Sequence, residues 1–148
     1  MAIKDRNKKQ FIQDRDDRVF IGIDLPFRKS DGVEGWFAST TDTISAVKNN
    51  IKNLLRTNKG ERYLQPNLGL NLRNYLFEQY TDDLRLQIEN DILDTFEFWL
   101  PFVQVRNLDI KMSDASDGIG KNKLSINVLF NITKDPNTLE SVSIEIGE

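Results

Sequence analysis

The sequence contains no cysteine and no histidine. Their absence removes thiol nucleophiles, Ser-His-Asp triads and the usual zinc ligand sets. General acid or base chemistry would fall to carboxylates, lysine or tyrosine. Lack of cysteine is compatible with a reducing cytoplasm. Charge of one sign is not in large excess either: 20 basic against 23 acidic residues give a net charge of −3. Such a balance sets up no long-range field for phosphate backbones, so no nucleic-acid partner is expected. No apolar run approaches the roughly 20 residues of a membrane span, and no membrane partner is expected. The first 18 residues mix charges and contain no apolar core, so no secretory leader is expected.

What is present fits one soluble domain. A chain of 148 residues buries roughly two-thirds of the surface its unfolded form exposes, without a disulfide or metal staple. With 39% apolar and 29% charged residues, a modest core under a well-solvated surface is expected. Residues 1–18 read as a flexible or partner-ordered arm, and residues 19–148 as a single α+β domain. Val19, Ile21, Ile23 and Leu25 alternate before Pro26, the pattern of a short edge strand or extended arm. The polar stretch from Lys29 to Gly35 reads as a loop.

Two long helices follow from the spacing of apolar residues. Ile44, Val47, Ile51, Leu54 and Leu55 fall within an arc of about 100°, the width of a stripe that faces a core. A helix from about Asp42 to Asn58 results, with N-cap oxygens just ahead of it and Gly60 as its left-handed terminator. A short helical piece is expected around Leu72 to Glu78. Thr81 opens the second long helix, with Asp82 and Asp83 against the positive end of its dipole. Leu84, Ile88, Ile92, Phe96 and Trp99 form one stripe about 120° wide. Leu86, Leu93 and Leu100 form another, so this helix is either sandwiched in its own fold or touches a partner. Pro101 ends it.

The last third alternates with period two. Leu108, Ile110 and Met112 form one set, Leu124, Ile126, Val128, Phe130 and Ile132 a second, and Val142, Ile144 and Ile146 a third. Ser125, Asn127, Asn131, Ser143 and Glu145 take the other faces, the pattern of an antiparallel meander with one wet face. Residues Asp114 to Lys121 and the turn Asp135-Pro136-Asn137 would join the strands. Val103 and Val105 are out of step with Leu108, which predicts either a bulge between them or a later start of the strand.

Few residues suggest chemistry. Gly118-Ile119-Gly120-Lys121 lacks the glycine spacing and the Ser/Thr of a phosphate loop, and reads as a hairpin turn. Asp114 and Asp117 have no EF-hand pattern after them and read as solvated turn residues. Glu97, beside Phe96, Phe98 and Trp99, is the one carboxylate with an aromatic setting of the kind glycoside hydrolysis uses. Neighbours along a helix point in different directions, so Glu97 reads as an exposed helix glutamate. The Asn131-Ile132-Thr133 sequon reads as strand polarity. No catalytic residue, metal ligand or cofactor is expected.

One stretch is more specific. Lys59, Gly60, Arg62, Pro66 and Gly69, continuing to Leu72, Leu76, Phe77 and Glu78, lie between the two long helices with the β meander beyond. Locally, Pro66 stiffens an irregular loop, Gly69 permits a turn, and Arg62 can fork to carbonyls or a carboxylate and pin it. The order and spacing resemble the baseplate wedge family of T-even-like contractile phages. That sheath-initiator family is related to the type VI secretion baseplate protein TssE. The resemblance covers roughly Trp36 to Ile146.

The resemblance implies a fold similar to the handshake domain of the sheath and a structural place in the virion tail baseplate, after synthesis in the host cytoplasm. Its implied partners are other baseplate wedge proteins, the tail sheath protein, and tube or hub proteins. The family's Glu-Pro-Arg signature, which docks on the wedge core, is matched here by Leu100-Pro101-Phe102. Only the proline is kept, so an apolar dock through Leu100 and Phe102 is expected in its place. The sheath-facing residues would be Asn127, Leu129, Ser143 and Glu145, on strands that a sheath arm extends by β-augmentation. Family members have been labelled lysozymes, a label that nothing in these residues supports. The competing readings are a regulatory adaptor of the same fold and a carboxylate-dependent muralytic enzyme.

Overall fold

The computed structural model describes residues 19–29, 36–113 and 123–147. The expected arm at 1–18, most of the loop to Gly35, and the Asp114–Lys121 segment with its glycines and aspartates lie outside these residues. The chain runs β1 (Gly22–Ile23), β2 (Ser39–Thr40), α1 (Thr43–Arg56), α2 (Leu72–Tyr75), α3 (Asp82–Trp99), β3 (Val103–Ser113), β4 (Lys123–Ile132) and β5 (Asp135–Gly147). The class is α+β with antiparallel sheets, as the periodicities predict.

The two long helices, α1 and α3, each start where a side chain accepts from one of the first free N–H groups. Asp42 accepts from the Ser45 amide at 3.0 Å, and Thr81 accepts from the Leu84 amide at 3.2 Å. Such caps contribute about 1 kcal/mol each. Helix α1 ends earlier than expected. Thr57 turns extended while its hydroxyl and amide both donate to the Asn53 carbonyl, at 2.7 and 3.0 Å. Gly60 is therefore not the helix terminator. It has φ +92°, lies further on in the loop, and donates its amide to the Pro66 carbonyl at 2.7 Å.

The main sheet has the order β3-β4-β5, all antiparallel. Helix α1 packs over β5 and α3 over β3, which leaves β4 beneath both. That position explains why Leu124, Ile126, Val128 and Phe130 of β4 are all essentially inaccessible. They meet Ile51 and Leu55 of α1 and Ile88, Ile92 and Phe96 of α3 in one apolar cluster. Burying a side chain of this size stabilises the fold by roughly 1.5–3 kcal/mol. The expected bulge is present: the β3–β4 register slips between Val105 and Asn107, leaving Arg106 as the extra residue.

Three features depart from expectation. The hairpin turn is the two-residue Thr133-Lys134, and Asp135 already pairs with Ile132. Pro136 and Asn137 fall in a wide irregularity before Glu140 rejoins the ladder opposite Phe130. A proline is tolerated there because a bulge asks for no ladder N–H. Asn131, on the outward parity, is only 1% exposed next to that irregularity, so its sequon does not mark a wet face. Finally, the Val19-Ile21-Ile23 alternation does not feed the core. It forms a two-stranded ribbon with residues 36–40, and all three side chains remain exposed.

Candidate protein-docking surfaces

The ribbon is held to α1 by few contacts. The Asn49 side-chain amide donates to the Ile23 carbonyl at 3.4 Å and to the Asp24 carboxylate at 3.5 Å. Gly22 lies over Ala46, where an added Cβ would meet Ala46 at an ordinary 3.6 Å and the Thr40 hydroxyl at a tighter 3.2 Å. Asp24 pairs with Arg28, whose hydrogen bond holds the Asp24 carboxyl below its ordinary range. Phe27 and Phe37 meet at a tilt of 54° with ring centres 5.6 Å apart, yet both are exposed, as is Trp36.

The loop after α1 is shaped by Pro66 and Gly69 as expected, with Glu61 in the part expected of Arg62. Gly60 and Gly69 are both left-handed, with φ +92° and +107°. A Cβ on Gly69 would stand 2.1 Å from the Thr57 carbonyl oxygen, so this position demands glycine twice over. Leu70 donates back to that same carbonyl at 2.8 Å, and Lys59 donates its amide to the Asn71 side chain at 3.1 Å. The carboxylate that pins the loop belongs to Glu61. It accepts from the Asn58 amide at 2.9 Å and the Asn58 side chain at 2.7 Å, which holds Glu61 below the usual carboxylate range. Arg62 does not fork within the loop. With Tyr63, 97% exposed, and Leu64 it forms a bare tip beyond the frame built by Gly60, Glu61, Pro66 and Gly69.

At the end of α3, the expected apolar dock divides. Leu100 is 8% exposed and belongs to the core, where it caps the end of α3 with its amide on the Phe96 carbonyl. Pro101 is exposed and Phe102 is 41% exposed. The segment is tied to the β4–β5 hairpin: Thr133 donates its amide and its hydroxyl to the Phe102 carbonyl, at 2.9 and 3.1 Å. Leu86 and Leu93, the rest of the second stripe, face solvent, so α3 is not sandwiched on that side. Phe98 was missed because it lies off both stripes. It is exposed and meets Trp99 edge-on at 5.0 Å. Glu97 is an exposed residue of the same helix.

The four strand residues have unequal roles. Asn127 and Leu129 lie on the central strand β4 and are paired on both sides, to Asp109 and Ser143, and to Asn107 and Ser141. Their backbones can receive no further strand, and only their side chains face outward. Ser143 and Glu145 lie on β5, an edge. The Ser143 hydroxyl donates to the Asn127 side chain at 3.1 Å, a cross-strand bond on the open face.

A family model described as baseplate wedge protein gp25 matches residues 41–137 of the 148. The chain belongs to that family. Membership makes it a structural baseplate component that associates with other baseplate proteins. The matched stretch begins directly after β2 and ends in the first residues of β5, so it holds the three helices, β3 and β4, with the ribbon and most of β5 outside it. The fold is similar to that of a Geobacter sulfurreducens protein provisionally named a tail lysozyme. The TM-score is 0.59 at 19% identity, over 71% of this chain and 90% of that one. It is also similar to a chain in the baseplate of the anti-feeding prophage, with TM-score 0.60 at 20% identity, over 76% of this chain and 85% of that one. At these identities the likeness is one of fold. No curated protein sequence matches the chain significantly.

Proposed function

We propose that this wedge-family chain joins the wedge core to the first ring of the tail sheath and starts sheath polymerisation by β-augmentation. Family membership and the mixed α+β fold support the baseplate part of this reading. The observation that carries the sheath part is the three-stranded sheet. Among the described residues its two outer strands have no partner on one side, so each presents unpaired N–H and C=O groups to an incoming strand. A short sheet whose inner face is already full gains most by extension in its own plane. On the reading proposed, this sheet takes the part of a handshake domain, whose strands a sheath arm extends.

On this reading the wedge core meets the segment between α3 and β3. Pro101 and Phe102, with Phe98 nearby on α3, offer an apolar contact without disturbing Leu100. Tube or hub proteins lie beyond these two faces.

The test is kinetic. Purified chain is titrated into monomeric sheath subunits from the same tail, and polymerisation is followed by light scattering. Substoichiometric chain should shorten the lag, and hydrogen exchange should show new protection on an edge strand. An unchanged lag with no protection on either edge would sink the sheath reading. For the wedge face, Pro101→Ala with Phe102→Asp should leave a folded chain that fails to enter wedges, and normal entry would show the contact lies elsewhere.

A further inference from the structure

The sheet has two edges, and they are not equivalent. On β3 the ladder slips at Arg106, and Lys111 and Asp109 pair with each other at 3.2 Å on the outward face. Bulges and charges of this kind blunt an edge against pairing. On β5, Glu140 to Gly147 pair residue for residue with Phe130 back to Lys123, leaving out only the irregularity before Glu140. This run contains no proline, and among the described residues none of its backbone groups bonds to anything but β4.

The flank of β5 is also distinctive. Lys48 of α1 bonds Glu140 at 2.7 Å, which fixes the helix alongside the start of the run. Lys52 and Arg56 follow at successive four-residue steps, continuing the same row toward the end of the strand. There a cleft of about 140 Å³ opens, with Arg56, Asn58 and Arg73 on one side and Glu145, Ile146 and Gly147 on the other. Neither arginine forms an ion pair among the described residues. One carboxylate does lie near: Glu61 feels the charge of Arg73 without pairing with it, while Glu145 borders the cleft from the outward parity of β5, so both forks remain available to a further carboxylate.

From this arrangement we infer that β5 is the receiving edge, and that the strand it takes is acidic, with a carboxylate seated between Arg56 and Arg73. The inference rests on the augmentation reading above and specifies its partner. A strand added to β5 runs about 4.8 Å outside it, over the mouth of the cleft. Its residue across from Ile146 shares the inward parity of Ile146 and so points toward the helix layer, where the guanidinium groups wait. A bidentate arginine–carboxylate contact at that position sets register as well as affinity. The next inward positions run beside Lys52, so a second acidic residue two places along is accommodated. A lysine there would meet like charge along the whole row.

The test uses fluorescein-labelled ten-residue peptides of alternating threonine and valine, with glutamate, glutamine or lysine at two inward positions. Anisotropy measures binding to the full chain, and hydrogen exchange reports protection on residues 140–147 and 103–113. The glutamate peptide should bind roughly five- to tenfold tighter than the glutamine peptide, with the lysine peptide weakest. In the Arg56→Glu, Arg73→Glu double variant, whose sites are exposed and outside the core, that order should reverse. Equal binding of all three peptides overturns the acidic partner and leaves augmentation standing. So does insensitivity to the reversal. Protection on β3 in place of β5 overturns the choice of edge. Absence of protection on either edge, with peptides and with sheath subunits alike, overturns this inference and the augmentation reading together.

Discussion

The β1–β2 ribbon and the β3–β5 sheet are written in the same alternating code. Val19, Ile21 and Ile23 repeat with period two as faithfully as Leu124, Ile126 and Val128 do. The first set is exposed and the second is inaccessible. The difference lies in what covers each strand. Helices α1 and α3 close over the inner face of the three-stranded sheet, while the ribbon rests on the outer side of α1 through Asn49 and Gly22. A two-stranded ribbon is marginal without a third strand or a covering element. Alternation therefore specifies a strand, and says nothing about whether its apolar face will be buried at home or offered elsewhere.

The largest effect should separate the two regions directly. Phe130→Ala empties a fully buried site under both helices and should cost about 3–5 kcal/mol in urea unfolding. Ile23→Ala, chemically similar but half-exposed on the ribbon, should change stability by no more than about 0.5 kcal/mol. Comparable losses at both sites would mean that the ribbon belongs to the core after all.

The glycine pair sharpens the contrast within the loop. Gly69→Ala forces a Cβ into the Thr57 carbonyl and should cost about 3 kcal/mol or more. Gly60→Ala meets only open space, so strain from its positive φ is the whole effect, about 1–2 kcal/mol. Equal losses would show that the close approach at Gly69 is relieved by a loop shift.

Smaller again is Tyr75→Phe, which removes a hydroxyl bonded to the Asp91 carboxylate at 2.5 Å and should cost about 1 kcal/mol. Burial, then the hydrogen bond to Asp91, pushes the Tyr75 phenol from 10.0 up to about 12. A raised phenol favours the folded state while it stays protonated. Its contribution is thus complete below pH 10 and is lost as the pH climbs toward 12. Tyr75→Phe should flatten that alkaline decline, and an unaltered slope would move the titration to another group.

The smallest global effect is expected from Asn49→Ala. It should leave the urea midpoint nearly unchanged while the Ile21, Asp24 and Ala38 amides, which hold the ribbon together, exchange faster. Equal acceleration in β4 would contradict the separation of the two regions.

Much of the frame was readable because it depends on short-range rules. The caps at Asp42 and Thr81, the inner stripe of α3 and the bulge after Val105 are each decided within a few residues. The docking residues were harder to read. Leu100 shares its helical spacing with Leu86 and Leu93, yet it closes the core, because the helix ends beneath it and the chain turns into β3. Arg62 suggested a loop clamp by its chemistry, and Glu61 takes that part because Asn58 lies within reach of it. The cation row beside β5 was not visible at all: Lys48 and Glu140 are neighbours only after the chain has folded.

Sequence alone was sufficient for the α+β class, the positions of the helices and the meander, since periodicity and capping act over one or two turns of chain. Which apolar face stays open, which strand is left as the smoother edge, and which arginines gather beside it were decided by tertiary structure. Those properties depend on the segment that packs across from each residue, and the packing partner lies many residues away.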